Sequence, residues 1–148
     1  MHGTCVALGG WCALLRGGCG AGKSDLALRF LFLPEGQLQA RPALIADDQV
    51  ILRRSGKKIV ASCPPALAGK IEVRGAGIAR LPVTAGEAEL RLIAELDSSA
   101  EEPRFPDADR FDTVLGLPVR RILLNPFELS APIKLALIMQ NFFAADLD

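Results

Sequence analysis

Two short apolar runs open the chain, Thr4 to Leu8 and Trp11 to Leu15, with only Gly9-Gly10 between them. Glycines at both positions of a two-residue connection supply the positive φ angles of a tight turn, so the pattern predicts an antiparallel hairpin. With Leu8 facing Trp11, the same register carried back along both strands sets His2 opposite Gly17. Leu26, Ala27, Phe30 and Leu31 then recur at the spacing of a helix that lays one face on a sheet, and Pro34 and Gly36 stop it. Pro42 to Ala46 reads as a buried strand that ends in Asp47-Asp48. A strand returning after a helix makes a right-handed crossover, which brings those carboxylates to the end of the sheet where the helix began.

Further along, Gln49 to Arg54 and Lys58 to Ala61 flank Ser55-Gly56-Lys57 and predict a second hairpin. Pro64-Pro65 breaks the pattern, and a short helical turn runs to Gly69. In Ile71-Glu72-Val73-Arg74-Gly75-Ala76-Gly77-Ile78, Glu72 and Arg74 are two apart and would share one strand face, with the glycines permitting a tight loop. Glu89 to Leu96 alternates for much of its length, as a half-buried strand does. Asp97 to Asp112 is polar, holds Pro103 and Pro106, and reads as a long surface loop carrying Arg104 and Arg110. Val119 to Leu124 forms a final strand. Ser130 caps a last helix with Pro132 near its first turn, and Ile133, Leu135, Ala136, Leu137, Ile138 and Phe142 make that helix apolar on more than one side. Such a helix sits deep in the core or against another subunit.

Between the first hairpin and the first helix lies Gly17-Gly18-Cys19-Gly20-Ala21-Gly22-Lys23-Ser24, which fits the phosphate-loop pattern G-x-x-x-x-G-K-[ST] at every fixed position. Its glycines let successive N–H groups turn inward onto phosphate oxygens, and the helix beginning at Lys23 adds the positive end of its dipole. Lys23 would reach the β- and γ-phosphates and Ser24 would ligate Mg²⁺. Asp47 and Asp48 stand where the second acidic element of a nucleotide site is expected, on the metal or as a base.

Composition narrows the field. At 148 residues, 50% hydrophobic and 23% charged, the chain suits one well-buried domain, residues 1–148. Seventeen acidic against seventeen basic side chains, with no dense basic run, give no reason to expect a nucleic acid or membrane partner. Cys5, Cys12, Cys19 and Cys63 show no C-x-x-C spacing and there is one histidine, so free thiols in a reducing cytoplasm are simpler than a zinc site. No basic leader or bilayer-length apolar run is evident, and a soluble cytoplasmic protein is expected.

In this order the pieces resemble the catalytic domain of the HPr kinase/phosphorylase family, bacterial enzymes that phosphorylate a serine of the phosphocarrier protein HPr. The most specific stretch is Ile71 to Ile78, which looks like the family's L-E-I-R-G-L-G-I. The resemblance implies a single α/β domain with a P-loop-containing, phosphoenolpyruvate-carboxykinase-like mixed sheet and flanking helices. It puts His2 at the family's catalytic histidine, Lys23 at its phosphate-loop lysine, and Asp47-Asp48 at its paired aspartates, one of them the proton acceptor. Glu72 joins Ser24 as metal ligand, with Asp48 a further candidate, and Arg74 steadies Glu72. The family's essential arginine falls at Arg104 by spacing to the last helix, with Arg110 as second choice. ATP and Mg²⁺ are implied, HPr or a paralogue of the sugar or nitrogen phosphotransferase system is the implied acceptor, and a homohexamer is the implied assembly.

Three departures qualify the match. The chain starts at the catalytic histidine, as a short form without the N-terminal domain would. Leu124-Asn125-Pro126-Phe127-Glu128-Leu129-Ser130 stands where the family has P-V-R-P-G-R-N, which puts reverse phosphorolysis in doubt. Gly-Gly-Cys-Gly replaces the commoner Gly-Asp-Ser-Gly in the loop. The rivals are a small-molecule P-loop kinase and a catalytically silent nucleotide-binding module. Absence of N-K-x-D argues against a GTPase, and absence of H-R-D and D-F-G against a eukaryotic-type protein kinase.

Overall fold

The computed structural model describes residues 1–34, 36, 38–82, 84–99 and 110–140. The first hairpin forms as the glycine pair dictates: β1 (Thr4–Leu8) runs antiparallel to β2 (Trp11–Arg16), with Leu8 opposite Trp11 and Thr4 opposite Leu15. The phosphate loop follows β2 and leads into α1 (Lys23–Leu31). Gly20 and Gly22 take φ of 77° and 93°, left-handed values that a side chain would resist.

After α1 the chain returns as β3 (Pro42–Ala46), which pairs antiparallel with β1. Since β1 is antiparallel to both, β3 runs parallel to β2 with β1 between them. The expected crossover is present, but it spans one strand and leaves β3 at an edge of the sheet. The second hairpin is β4 (Ile51–Ser55) and β5 (Lys58–Ser62), turning at Gly56-Lys57. A 3-10 turn at Pro65–Leu67 leads to a separate two-stranded ribbon, β6 (Lys70–Val73) and β7 (Gly77–Arg80). The long β8 (Glu87–Leu96) lies parallel to β2 and to β10 (Leu117–Leu124), and β9 (Phe111–Val114) closes the far edge against β10. Residues Phe111 and Asp112, placed by their polarity in the preceding loop, are already strand. The last helix, α2 (Ala131–Gln140), begins as its cap predicts, with Ser130 O accepting the Lys134 N–H at 2.8 Å.

The central strands of the eight-stranded sheet are buried on both faces. Val6, Leu8, Ala13 and Leu15 pack toward Leu26, Ala27 and Phe30 of α1 and Leu135, Ala136 and Met139 of α2. Cys5, Ala7, Cys12 and Leu14, one step out of phase, join Val50, Ile59 and Ala61 around the second hairpin. That double burial is why β1 and β2 read as unbroken apolar runs.

The half-buried reading of Glu89 to Leu96 holds only for the first half. The register steps from Cys12–Leu90 to Ala13–Leu92, so Arg91 is an extra residue and the faces exchange there. Beyond it, Leu92 and Ala94 serve the helix side and Ile93 the other. Arg91 sits 5.8 Å from the centre of the Trp11 ring. Of the last helix, Ala131, Pro132, Leu135, Ala136 and Met139 are buried while Ile133 is half exposed, so core packing accounts for one face. Phe142 lies outside the described residues.

Phe30 is fully buried between α1 and the sheet. Truncating it leaves a cavity that the close-packed surroundings fill only in part, so Phe30→Ala is expected to lower unfolding free energy by about 3–5 kcal/mol. Urea denaturation followed by circular dichroism measures it.

Candidate active site

The loop is held from inside. Its two ends are anchored by the last residues of β2 and the first turn of α1, where Gly22 O accepts the Leu26 N–H at 2.9 Å, and Ala21 N–H closes a turn on Gly18 O at 3.0 Å. A Cβ on Gly17 would come within 2.8 Å of Ala21 Cβ and 3.2 Å of Leu96 O, so only glycine permits this approach. Lys23 curls back over the loop and donates to Gly17 O at 2.9 Å and Gly18 O at 3.1 Å. Its ammonium thus marks the Gly17–Gly18 end.

Asp47 is the junction of the site. It is buried just past the end of β3, and its Oδ1 accepts from Thr4 Oγ1 at 2.9 Å and Ser24 Oγ at 2.7 Å. Its Oδ2 accepts the Glu72 N–H at 3.0 Å. One carboxylate therefore ties β1, α1 and the β6–β7 ribbon together. Although β1 intervenes between the loop strand and the acidic strand, the acid and the loop serine meet.

Asp48 differs. It is exposed, in the left-handed region at φ 72°, and among the described residues its carboxylate takes no hydrogen bond. Its backbone O accepts the Gly3 N–H at 3.0 Å. The two aspartates therefore differ in environment, Asp47 buried at the strand end and Asp48 exposed in a left-handed turn beyond it.

His2 is not opposite Gly17. The β1–β2 pairs stop at Thr4–Leu15, and His2 instead bridges Gln49 on the β3 side, its Nδ1 lying 3.1 Å from Gln49 Nε2. The chain start is drawn that way because Gly3 N–H and Met1 O bond to the segment after β3, at Asp48 O and Val50 N. His2 remains beside the aspartate pair, next to Gly3.

Glu72 is exposed on β6, opposite Ile78. Arg74 does not share its strand face, because β6 ends at Val73 and Arg74 enters the turn with Gly75 at φ 84°. Arg104 lies outside the described residues. Arg110 is described, and it lines a cavity of about 380 Å³ together with Gly17, Gly18, Glu95, Asp97 and Arg121.

Beside that cavity is a group that pattern reading missed. Arg16, the last residue of β2, bonds to Glu95 of β8 and Asp112 of β9, and Arg121 reaches Asp112 at 3.3 Å. Burial pulls the Arg16 guanidinium down, and its bonds to both carboxylates outweigh this, leaving it above its ordinary value. Bonds from the Ser99 hydroxyl and N–H hold Asp97 below the usual carboxylate range. The only signal for Arg16 was a charge closing an apolar strand directly before the loop. Thr4 gave a similar one at the start of β1.

The oxygen donors near the loop, Ser24, Glu72 and the Asp47–Asp48 pair, suit a hard cation. Among the described residues no three His, Cys, Asp or Glu side chains form a metal cluster. No helix among the described residues is long and apolar enough to cross a membrane.

The chain is similar to several known proteins. The HPr kinase/phosphorylase of Bordetella pertussis (strain Tohama I) is 32% identical over 135 residues, covering 84% of this chain and 42% of that protein. That of Burkholderia lata is 33% identical over 134 residues, covering 84% of this chain and 39% of its own. The chain thus spans about two fifths of the length of the curated relatives it matches. The solved structure of the Hpr(Ser) kinase/phosphatase from Coxiella burnetii shares the fold with a TM-score of 0.80, at 23% identity, over 96% of this chain and 94% of that one. The family described as HPr Serine kinase C-terminal domain matches residues 1–124, from the first hairpin through β10, and the chain belongs to it.

Proposed function

We propose that the protein is an ATP-dependent kinase that transfers a phosphoryl group to a serine of the phosphocarrier protein HPr or a paralogue in a sugar or nitrogen phosphotransferase system. The observation that carries this is the 2.7 Å bond between Ser24 of the phosphate loop and Asp47, which brings the anion cradle and the acidic pair into one site. Family membership supports the acceptor.

In the reaction, backbone N–H groups of Gly17 to Lys23 hold the β-phosphate, and Lys23 reaches the β- and γ-phosphates. The serine Oγ forms a bond to the γ-phosphorus as the bond from that phosphorus to the β,γ-bridging oxygen breaks, and ADP leaves with that oxygen. The serine proton passes to one carboxylate of the Asp47–Asp48 pair, a contribution of roughly 10²–10⁴ in rate. Mg²⁺ held by Ser24 and Glu72, with Asp48 within the same strand end, supplies charge neutralisation on the phosphate oxygens when bound. Arg104, or Arg110 at the cavity, offsets charge on the transferred group, and His2 orients it from beside Asp48. Arg74, at the turn that follows β6, steadies Glu72. Alignment and electrostatics carry most of such a transfer. The protein acts in the cytoplasm, as a homohexamer by analogy with its family, in the kinase direction.

Incubation with MgATP and HPr, followed by intact-mass and phosphopeptide analysis, is expected to place one phosphate on an HPr serine. Turnover without HPr would favour a small-molecule kinase, and binding without turnover a silent module. Lys23→Ala is expected to lower kcat by about 10²-fold or more while leaving circular dichroism unchanged, and the Asp47→Asn/Asp48→Asn pair to lower it by at least as much with a reduced melting temperature, because an amide at position 47 cannot accept from Thr4, Ser24 and the Glu72 N–H together. Full activity in the aspartate pair would remove the base assignment. Cys19 is the exposed thiol of the loop, whereas Cys5 and Cys12 are buried. The Cys5 thiol is pushed up by its hydrogen bond with Cys12, by burial and by repulsion from Cys12. In the native protein Cys19 is therefore expected to react first with a maleimide, and MgATP to slow that reaction at least several-fold; equal rates with and without nucleotide would count against the loop as the binding site.

A further inference from the structure

The two ends of the phosphate loop have different neighbours. Lys23 Nζ lies at Gly17 and Gly18, within 2.9 and 3.1 Å of their carbonyls, and a phosphate-loop lysine serves the β- and γ-phosphates. The Gly17–Gly18 end is therefore the transfer end, where the charged cavity opens. A nucleoside directed away from the Lys23 ammonium passes Gly22, while Ser24 and Asp47 stay with the terminal phosphates.

At the Gly22 end stands Phe127. A Cβ built on Gly22 would lie 3.4 Å from two atoms of its ring, yet the ring is 58% exposed. An exposed aromatic against the last glycine of the phosphate loop belongs to neither core cluster, while its neighbour Pro126 is buried. The backbone on either side of the ring is anchored. Arg29 of α1 donates to Pro126 O and, at 3.3 Å, to Glu128 O, bracketing Phe127 on both sides. Asn125 Oδ1 accepts the Phe127 N–H at 3.1 Å, and Lys134 of α2 bonds to Glu128. A ring carried on a segment braced in this way, and largely open to solvent, is available for stacking without first having to order its backbone.

Resting on the nucleotide reading above, we propose that Phe127 is the platform on which the purine base of the nucleotide stacks, so that affinity for the base comes from the segment Asn125 to Leu129. Every base offers a π-face, and stacking on an aromatic side chain needs no hydrogen-bond pattern. The aromatic contact lies outside the phosphate loop itself. It gives this segment a binding role at the nucleoside end of the site.

Isothermal titration of the full chain with two probes, MgATP and inorganic tripolyphosphate, separates base from phosphate recognition. Phe127→Ala and Phe127→Leu are each expected to weaken MgATP about 5- to 100-fold, as loss of base stacking does, and to leave tripolyphosphate unchanged; Phe127→Trp is expected to restore MgATP affinity. Matching thermal melts by circular dichroism establish that the variants are folded. Equal losses for both probes would make the ring a brace for the loop and overturn the proposal, as would unchanged MgATP binding in both variants. Failure of the unsubstituted protein to bind either probe would instead overturn the nucleotide reading.

Discussion

A buried carboxylate must find donors for its lone pairs, and Asp47 finds three on three separate elements. Thr4 belongs to the first strand, Ser24 to the first helix and Glu72 to a ribbon outside the main sheet. None of these is close to another along the chain, so the carboxylate sets their relative positions in a way that no local propensity could. Among the described residues no buried side-chain polar atom is left without a partner. The loop serine and the ribbon carrying Glu72 are thereby held to one point before any ligand arrives, and preorganisation of this kind is what phosphoryl transfer asks of a protein.

A second cluster does the same for the opposite side of the loop. Arg16 joins β2 to β8 and β9 through Glu95 and Asp112, and Arg121 of β10 shares Asp112. These ions are partly exposed, so each pair adds little to stability by itself. Their consequence is positional. The loop leaves the sheet directly after Arg16, and four strands are fastened to one another at that point. The cavity with Arg110 and Arg121 consequently has fixed walls where it meets Gly17 and Gly18.

What could be read from the sequence was local. The Gly9-Gly10 turn, the helix from Lys23, the Gly56 hairpin and the Ser130 cap all follow from residues adjacent in the chain, and each has the predicted position. Long-range facts were hidden. Nothing in Pro42 to Ala46 says that its partner is β1 and not β2, and nothing in Glu89 to Leu96 says that Arg91 is an extra residue that exchanges the faces. The same limit explains His2, whose register was extrapolated along β2 while the contacts that fix it come from the segment after β3. Arg74 was misplaced by one turn, because a two-residue spacing within a strand looks identical to one that runs over its end. The ion cluster at Arg16 had no pattern at all, since its partners lie far along the chain.

Double burial of the sheet also explains where chemistry can occur. Along β1, β2, β3 and the latter half of β8, apolar side chains serve both faces, which leaves almost no room for polar groups within the strands. Function is consequently displaced to the residues immediately following the last apolar one: Arg16 and Gly17 after Leu15, Asp47 after Ala46, Asp97 after Leu96, Asn125 after Leu124. The strands β2, β3, β8 and β10 run in the same sense, so all four of these junctions fall at one end of the sheet. Ligand sites in open α/β sheets collect at the carboxyl ends of parallel strands for this reason. Here the rule has a specific content: the phosphate-loop motif, Asp47–Asp48, the charged cavity and the Phe127 segment each follow one of four strands that point the same way, and lengthening any one of those strands by a single apolar residue would shift the group that follows it away from the other three.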